Sequence, residues 1–231
     1  MKQKYIVGNW KMTLNKKDSL KLAEDIKSIE KKDNVRIEIA PTYLYLQDIK
    51  AILNDSDVSV ISQNFDYESL GSFTGGISLN QLEEIGLSKT ILGHSERRSK
   101  FNESSEMVDK KLEIVLNSNF DVIYCFDSYE QIPFDLIENN LNVNSKLTLA
   151  YEPTWAIGTG ETATVEHIEE IHLKVRSRLE SINIKDVPIL YGGSVSPDNS
   201  NQIIHATNVD GVLVGGASTK FDKLTGIINS I

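Results

Sequence analysis

One stretch of the sequence, LTLAYEPTWAIGTG at residues 147–160, joins an apolar run to a loop of small residues. The run LTLAY is typical of a buried strand, and Pro153 stops it because proline has no N–H and a fixed φ. Between run and loop lies Glu152, a carboxylate at the end of a strand. This layout is typical of a general base beside a closing loop, although taken alone it also fits a surface glutamate before an ordinary turn.

The same unit, a short β-branched run followed by a longer amphipathic segment, recurs along the whole chain. The pattern predicts strands at 5–10, 35–40, 58–63, 90–94, 121–126, 147–152, 187–192 and 209–215. It predicts helices near 16–31, 44–53, 79–86, 103–118, 129–139, 164–182, 197–205 and 217–229. Eight such units favour an α/β protein in which residues 1–231 form a single domain, a closed (β/α)8 barrel. An open, doubly wound sheet is the rival, although it more often has about five to seven strands.

The composition is that of an ordinary globular chain, with 40% hydrophobic and 25% charged residues. We expect a cytoplasmic protein, because there is no signal-peptide pattern, no apolar run long enough to span a membrane, and a single cysteine, Cys125. The net charge of −9 argues against a nucleic-acid or anionic membrane surface as partner. It is compatible with a small anionic substrate, since a few backbone N–H groups and one lysine can bind a phosphate.

Functional groups in such a barrel lie where the strands end and the following loops begin. Polar or glycine-rich residues occur at six of these ends: Asn9 and Lys11, Gln63 and Asn64, His94 and Ser95, Glu152, Gly192 to Ser194, and Gly215 and Gly216. Lys11 alone fits a solvated lysine, and the two diglycines alone fit two tight turns. Inside a barrel mouth, the diglycines would let backbone N–H groups approach a phosphate closely, with Lys11 as a cation.

The histidine at the end of the fourth strand, His94, precedes a predicted helix start with Ser95 as a plausible N-cap and Glu96 in the first turn. The positive end of the helix dipole disfavours the cationic form of His94, so a neutral ring would donate a hydrogen bond to a carbonyl. A structural histidine is the alternative. The other histidines, His167, His172 and His205, fit surface or packing positions and form no metal-ligand pattern.

A dinucleotide-binding fingerprint is matched by GTGETA at 158–163, but five residues separate it from the preceding strand and no acidic ribose partner is evident. We therefore expect neither a nucleotide cofactor nor a metal. The base, the neutral histidine, the lysine and the glycine-rich loops together suit proton transfer between adjacent carbons of a small phosphorylated carbonyl compound. A closing loop would exclude water from the enediolate intermediate.

Five motifs resemble the triosephosphate isomerase family, in the family's order and over essentially the whole chain. They are GNWKM at 8–12, ILGHSERR at 91–98, AYEPTWAIGTG at 150–160, YGGSV at 191–195 and DGVLVGGAS at 210–218. The resemblance implies a TIM barrel without a cofactor, acting as a homodimer in glycolysis and gluconeogenesis. It implies the interconversion of dihydroxyacetone phosphate and D-glyceraldehyde 3-phosphate.

The resemblance also implies roles for matching residues. Glu152 would be the base and His94 the electrophile, a pairing known for this family, while Asn9 and Lys11 contact substrate and Glu96 tunes the charge near Lys11. Phosphate contacts would come from Gly158, Ser194, Gly215 and Gly216. The lid would comprise Pro153, Thr154, Trp155, Ala156, Ile157, Thr159 and Gly160, latched by Tyr191 and Ser194. A dimer loop is implied by GSFTGGIS at 71–78, with Thr74, Gly75 and Gly76 at its tip.

Several positions depart from the family's usual sequence. The chain is shorter than usual, mostly between Cys125 and Glu152, so we expect a reduced fifth helix. Residues 126–128 read Phe-Asp-Ser where the family usually has Ile-Gly-Glu, and Glu161 stands where lysine is common. Gly76 replaces a glutamate that would pair with Arg97 across a dimer, so we expect a homodimer lacking that ion pair.

Two other interpretations stay open. A non-catalytic homologue would be expected to have lost Lys11, His94 or Glu152, and all three are present. Other phosphate-binding barrel enzymes share the glycine-rich seventh and eighth loops but lack the lid sequence.

Overall fold

Eight parallel strands form one sheet that curls back on itself. The structure is a computed structural model and describes residues 3–30, 32–68, 70–140, 143–156 and 162–231. The strands are β1 (Lys4–Asn9), β2 (Val35–Ala40), β3 (Val58–Val60), β4 (Lys89–Leu92), β5 (Asp121–Phe126), β6 (Leu147–Tyr151), β7 (Ile189–Tyr191) and β8 (Gly211–Val214). Their order is β3-β2-β1-β8-β7-β6-β5-β4, and each neighbouring pair is parallel.

Two hydrogen bonds join the outermost strands of that order. Ser62, just beyond β3, donates its backbone N–H to the Lys89 carbonyl at 3.0 Å, and its own carbonyl accepts from the Ile91 N–H at 2.9 Å. Both partners lie on β4, so the sheet closes. The predicted (β/α)8 TIM barrel is therefore confirmed.

Helices follow the strands on the outside of the sheet. They are α1 (Lys16–Lys27), α2 (Leu46–Leu53), α3 (Leu79–Glu84), α4 (Ser95–Lys100), α5 (Ser105–Leu116), α6 (Phe134–Glu138), α7 (Val143–Lys146), α8 (Val165–Ser181), α9 (Pro197–Ile204) and α10 (Phe221–Asn229). Short 3-10 turns occur at Tyr43–Tyr45, Tyr129–Gln131, Thr154–Ala156 and Gly216–Thr219. Among the described helices, none has the length and apolar character needed to cross a membrane.

Polar side chains start several of the helices where the sequence changes from loop to amphipathic segment. The Asn15, Ser78, Ser104 and Thr164 side chains each accept a hydrogen bond from a backbone N–H in the first turn of the helix that follows. Such caps satisfy N–H groups that have no partner within the helix, and each contributes about 1 kcal/mol to stability.

The barrel interior is filled by one or two small or branched side chains from each strand or strand end. They are Val7, Ala40, Ile61, Ile91, Ile123, Cys125, Ala150, Leu190 and Leu213, all buried. Successive side chains of a strand point to opposite faces, so residues two positions further on continue this inward series. Asn9, Glu152, Gly192 and Gly215 hold those next positions at the carboxyl ends of their strands.

The observed elements differ from the predicted ones mainly at their ends. The predicted helix 129–139 is divided into a 3-10 turn and the five-residue α6, with Pro133 between them. This agrees with the expected reduction of the fifth helix. The short helix α7 is not among the predicted ones, and α4 is predicted only as a helix start near Ser95, because four to six residues are too few to display helical periodicity.

Candidate active site

A polar cavity of about 680 Å³ opens at the carboxyl ends of the strands. Its lining brings together most of the predicted site residues: Asn9, Lys11, His94, Glu96, Glu152, Ser194, Gly215 and Gly216. Lys100, Thr162, Asn199 and Lys223 also line it, and the sequence analysis does not predict them. Gly158 and the lid residues Ile157, Thr159 and Gly160 lie outside the described residues, as does Glu161.

The Glu152 carboxylate is almost completely buried, with 1% of the residue exposed. Its backbone N–H donates to the Phe126 carbonyl at 2.7 Å, which anchors the residue just beyond β6. Oε2 accepts the backbone N–H of Ser95 at 2.8 Å, and Oε1 lies 3.1 Å from His94 Nε2. The alternative of a surface glutamate is therefore wrong, because this carboxylate lies inside the barrel mouth.

The ring of His94 is held in one tautomer by the start of α4. His94 itself is the N-cap, and its Nδ1 accepts the backbone N–H of Glu96 at 3.1 Å. The expected cap at Ser95 is wrong because the imidazole nitrogen takes that role and Ser95 begins the helix. A nitrogen that accepts a hydrogen bond carries no proton, so a neutral ring bears its proton on Nε2, the atom that faces Glu152.

Lys11 has a left-handed backbone conformation, with φ at +53°. Its N–H donates to Asn9 Oδ1 at 3.0 Å, and its carbonyl accepts from Gln63 Nε2 at 2.9 Å. Such a conformation costs a non-glycine residue about 1–3 kcal/mol and persists only where neighbours hold it. Asn9 and Gln63 provide that restraint, and they direct the Lys11 side chain into the cavity.

The charge of Lys11 is balanced by Glu96, whose Oε1 lies 3.1 Å from Lys11 Nζ. Burial alone would raise the pKa of Glu96. The positive charge and hydrogen bond of Lys11, together with the charge of Lys100, outweigh burial and hold the pKa of Glu96 below its usual value. Glu96 therefore stays ionised, and it keeps Lys11 extended toward the cavity.

Glycine is required at the seventh strand's end. A Cβ added at Gly193 would lie 2.1 Å from the Tyr191 hydroxyl oxygen, so a side chain at Gly193 would collide with that ring. The Tyr191 hydroxyl accepts the backbone N–H of Ala163 at 3.4 Å, and Ser194 Oγ donates to the Ala156 carbonyl at 2.6 Å. These contacts tie the end of the seventh strand to Ala156, within the predicted lid, and to Ala163, three residues beyond it.

Two contacts at the start of the lid are not predicted from the sequence. Asp127 accepts hydrogen bonds from the Thr154 N–H at 3.0 Å and from Thr154 Oγ1 at 2.9 Å. The half-exposed Trp155 packs near the ring of His167, with ring centroids 6.1 Å apart. Asp127 belongs to the segment 126–128, where the chain departs from the family's usual sequence. That departure is the one feature of the sequence that could have indicated the contact with Thr154.

The predicted dimer loop is exposed at its tip. Thr74 and Gly75 have no contact with the cavity, and Gly75 has a positive φ of 83°. Gly76 donates its N–H to the Phe73 carbonyl at 3.0 Å. Arg97, which lacks a glutamate partner in this loop, instead pairs with Glu103 of its own chain, 3.1 Å from Nη2 to Oε1. Within the described ranges, no three histidine, cysteine or acidic side chains form a metal-binding group.

Comparisons with known proteins identify the family of this chain. The family model described as triosephosphate isomerase matches residues 4–231. The chain belongs to the triosephosphate isomerase family. It is 38% identical over 250 residues to the triosephosphate isomerase of Flavobacterium johnsoniae, covering 100% of both chains. It is also 38% identical to those of Thermodesulfovibrio yellowstonii, over 97% of this chain and 99% of the relative, and Clostridium acetobutylicum, over 99% and 100%.

The alignments also show how much shorter this chain is than related triosephosphate isomerases. The alignment with the Flavobacterium johnsoniae protein extends over 250 positions and covers the whole 231-residue chain, which therefore has no residue at about 19 of them. The short helices α6 and α7 between β5 and β6 are consistent with part of this difference lying there.

Proposed function

We propose that this protein interconverts dihydroxyacetone phosphate and D-glyceraldehyde 3-phosphate as a triosephosphate isomerase of glycolysis and gluconeogenesis. The observation that carries the proposal is the meeting of three groups at one cavity: the Glu152 carboxylate, the Nε2–H of a neutral His94 and the Lys11 ammonium. Membership of the triosephosphate isomerase family supports the same reaction.

Glu152 is proposed as the base. A substrate that enters between Glu152 and His94 replaces the 3.1 Å contact between the two side chains. One carboxylate oxygen then takes a proton from the carbon next to the carbonyl, and the same carboxyl group returns a proton to the neighbouring carbon. His94 Nε2–H donates to the carbonyl oxygen, where negative charge develops in the enediolate.

The remaining residues are proposed to bind the substrate. Lys11 and Asn9 contact the triose, and the Lys11 ammonium adds positive charge beside the developing oxyanion. The backbone N–H groups around Ser194, Gly215 and Gly216 are proposed to hold the phosphate, since glycine lets an anion approach the backbone closely. The 3-10 turn that begins at Gly216 presents further N–H groups there.

A coupled spectrophotometric assay tests the proposal. Glu152→Gln keeps the shape of the side chain but removes the base, so we expect kcat to fall by about 10²–10⁴. Glu166→Gln, at an exposed position in the first turn of α8, makes the same charge change outside the cavity and should retain wild-type activity. Equal activity of Glu152→Gln and wild type would remove Glu152 from its role. An inactive wild type would favour the non-catalytic homologue.

The homodimer and the cytoplasmic location are proposed together with this function. Exposed apolar side chains support the dimer: Leu44, Leu70 and Phe73 are 81%, 61% and 51% exposed. Leu70 and Phe73 line one surface depression with Gly76 and Ile77, and Leu44 lines the adjoining one with the same two residues. Large apolar side chains exposed around neighbouring depressions are typical of a protein interface. The Arg97 pairing within its own chain supports a dimer without an Arg97 ion pair to loop 71–78.

A further inference from the structure

The cavity holds a lysine for which the proposed chemistry has no role. Lys223, on α10, lines the cavity together with Gly215, Gly216 and Ala217, yet its side chain is exposed to solvent. Family membership and the catalytic geometry assign nothing to it. It lines the same cavity as Gly215 and Gly216, the glycines proposed to hold the phosphate.

Helix packing explains why Lys223 points toward the cavity. A Cβ added at Gly226 would lie 3.0 Å from the Pro197 side chain, so α10 packs directly against the first residue of α9 at this position. Helix residues three apart share a face, and their side chains lean toward the helix N-terminus. Lys223 is three residues before Gly226, on the same side of α10, and it lines the cavity together with Gly215 and Gly216.

Among the described residues that line the cavity, Lys223 decides the sign of the net charge. Lys11 lies 3.1 Å and Lys100 lies 3.8 Å from the same Glu96 oxygen, and Glu152 is the second lining carboxylate. Those two lysines and two glutamates cancel. Lys223 has no carboxylate within 4 Å of its Nζ among the described residues, and it makes the lining net positive.

The positive charge matters because the chain as a whole is strongly acidic. A net charge of −9 repels an anionic substrate at long range, and a phosphate monoester carries about −1.5 to −2 at neutral pH. Charge lining a cleft focuses the field there and increases both the rate of encounter and the occupancy of the site. An exposed ammonium at the rim is the group that an approaching phosphate meets first.

We propose that Lys223 recruits and positions the phosphate of the substrate at the rim of the cavity. The proposal rests on the proposed isomerase function for its substrate, a small phosphate monoester dianion. Lys223 acts through charge at the phosphate end of the cavity and takes no part in the proton transfer, so it is a positioning residue. Its loss should therefore change kcat/KM and phosphate affinity while leaving kcat largely intact.

The test compares Lys223→Gln with Lys220→Gln. Lys220 is exposed, lies three residues earlier in the chain and does not line the cavity, so its variant makes the same change in net charge. At an ionic strength of about 10 mM, we expect Lys223→Gln to lower kcat/KM by about three- to tenfold, with kcat within about twofold of wild type. At about 300 mM, where the screening length falls below about 10 Å, the difference should shrink to less than about twofold. Lys223→Arg should restore most of the loss.

A second readout separates this proposal from the proposed function. Calorimetric titration with inorganic phosphate in a chloride buffer measures the anion site without turnover, and Lys223→Gln should weaken this binding by about three- to tenfold at low salt. If the wild type does not isomerise triose phosphates but Lys223→Gln still weakens phosphate binding, the isomerase proposal fails and Lys223 keeps its role. The role of Lys223 is overturned if Lys223→Gln and Lys220→Gln behave alike, or if the effect of Lys223→Gln is independent of salt.

Discussion

The buried His172 carries a clear electrostatic consequence at the scale of a single residue. It lies in α8 with no exposed surface, its Nδ1 is 3.1 Å from the Asn208 carbonyl, and its ring meets Tyr151 edge-on. Burial disfavours the charged ring and lowers the pKa of His172 from 6.5 to about 4, although the Asn208 carbonyl opposes the shift. The unfolded chain takes up this proton below about pH 6.5, whereas the folded chain does not until about pH 4.

The pKa of His172 predicts how stability depends on pH. Its contribution is fully present above about pH 6.5 and is lost as the pH falls toward 4, because the unfolded state then binds more protons. When the pH is lowered from 7 to 4.5, the free energy of unfolding should fall in both proteins. We expect the fall to be about 2–3 kcal/mol smaller in His172→Gln than in wild type. Urea denaturation at both pH values measures this. The exposed His205→Gln should follow wild type, and equal pH slopes for His172→Gln and wild type would contradict the account.

Single residues also show what the sequence could and could not predict of the site. Glu152, His94 and Lys11 stand out because each polar residue follows an apolar strand. Gln63 also lies at a strand end, but its bond to the Lys11 carbonyl depends on a left-handed backbone that no periodicity encodes. Lys223 is not predicted, since its place at the cavity depends on how α10 packs against α9.

At the scale of elements, a buried ionic cluster joins α5 to the ends of β3 and α4. Lys111 on α5 donates to Glu103 and, at 3.1 Å, to Asn64 Oδ1, and Arg97 also donates to Glu103 Oε1. Burial opposes ionisation of Glu103, but Lys111 and Arg97 outweigh burial and hold the pKa of Glu103 below its usual value. Glu103 and Lys111 are both almost fully buried, so Lys111 depends on Glu103 for its charged partner, whereas Glu103 has both Lys111 and Arg97.

Removal of one member of this cluster should be costly. Lys111→Met leaves the buried Glu103 carboxylate without its ammonium partner, and we expect the free energy of unfolding to fall by about 3–5 kcal/mol. Adding Glu103→Gln to that variant removes a buried carboxylate that has lost one of its two cationic partners, and should recover part of the loss. Urea denaturation of the single and double variants at pH 7 checks both expectations. A loss below about 1 kcal/mol for Lys111→Met would show that the cluster does not hold α5 in place.

Elements with strong patterns are the ones that the sequence predicts well. The strands β2 and β5 have the predicted bounds, because their β-branched residues lie between polar segments. The seventh strand is predicted at 187–192 but spans Ile189–Tyr191, since Pro188 cannot donate a ladder hydrogen bond. Most of the 3-10 turns Tyr43–Tyr45 and Gly216–Thr219 falls within the predicted helices 44–53 and 217–229. Three or four residues are too few to show a periodicity that distinguishes a 3-10 turn from the start of an α-helix.

At the scale of the whole molecule, a second copy of the chain is proposed to cover the exposed side chains of Leu44, Leu70 and Phe73. We expect wild type to sediment at about twice the 25.8 kDa of one chain. Phe73→Asp places a charge on that surface and should yield a monomer at micromolar concentration. Leu173→Asp, at a similarly exposed leucine on α8, should leave the dimer intact. A fully active wild-type monomer at assay concentration would contradict the dimer proposal.

The central claim is that Glu152 moves a proton between two carbons through an enediolate. The most direct measurement follows dihydroxyacetone phosphate in D2O by proton NMR, with wild type and Glu152→Gln in parallel. A proton held by a carboxylate exchanges with solvent before it returns, so the account predicts deuterium at the carbon next to the carbonyl in the product. It also predicts that Glu152→Gln slows isomerisation and deuterium incorporation together, by about 10²–10⁴. Product formed without deuterium, or incorporation by Glu152→Gln at the wild-type rate, would contradict the claim.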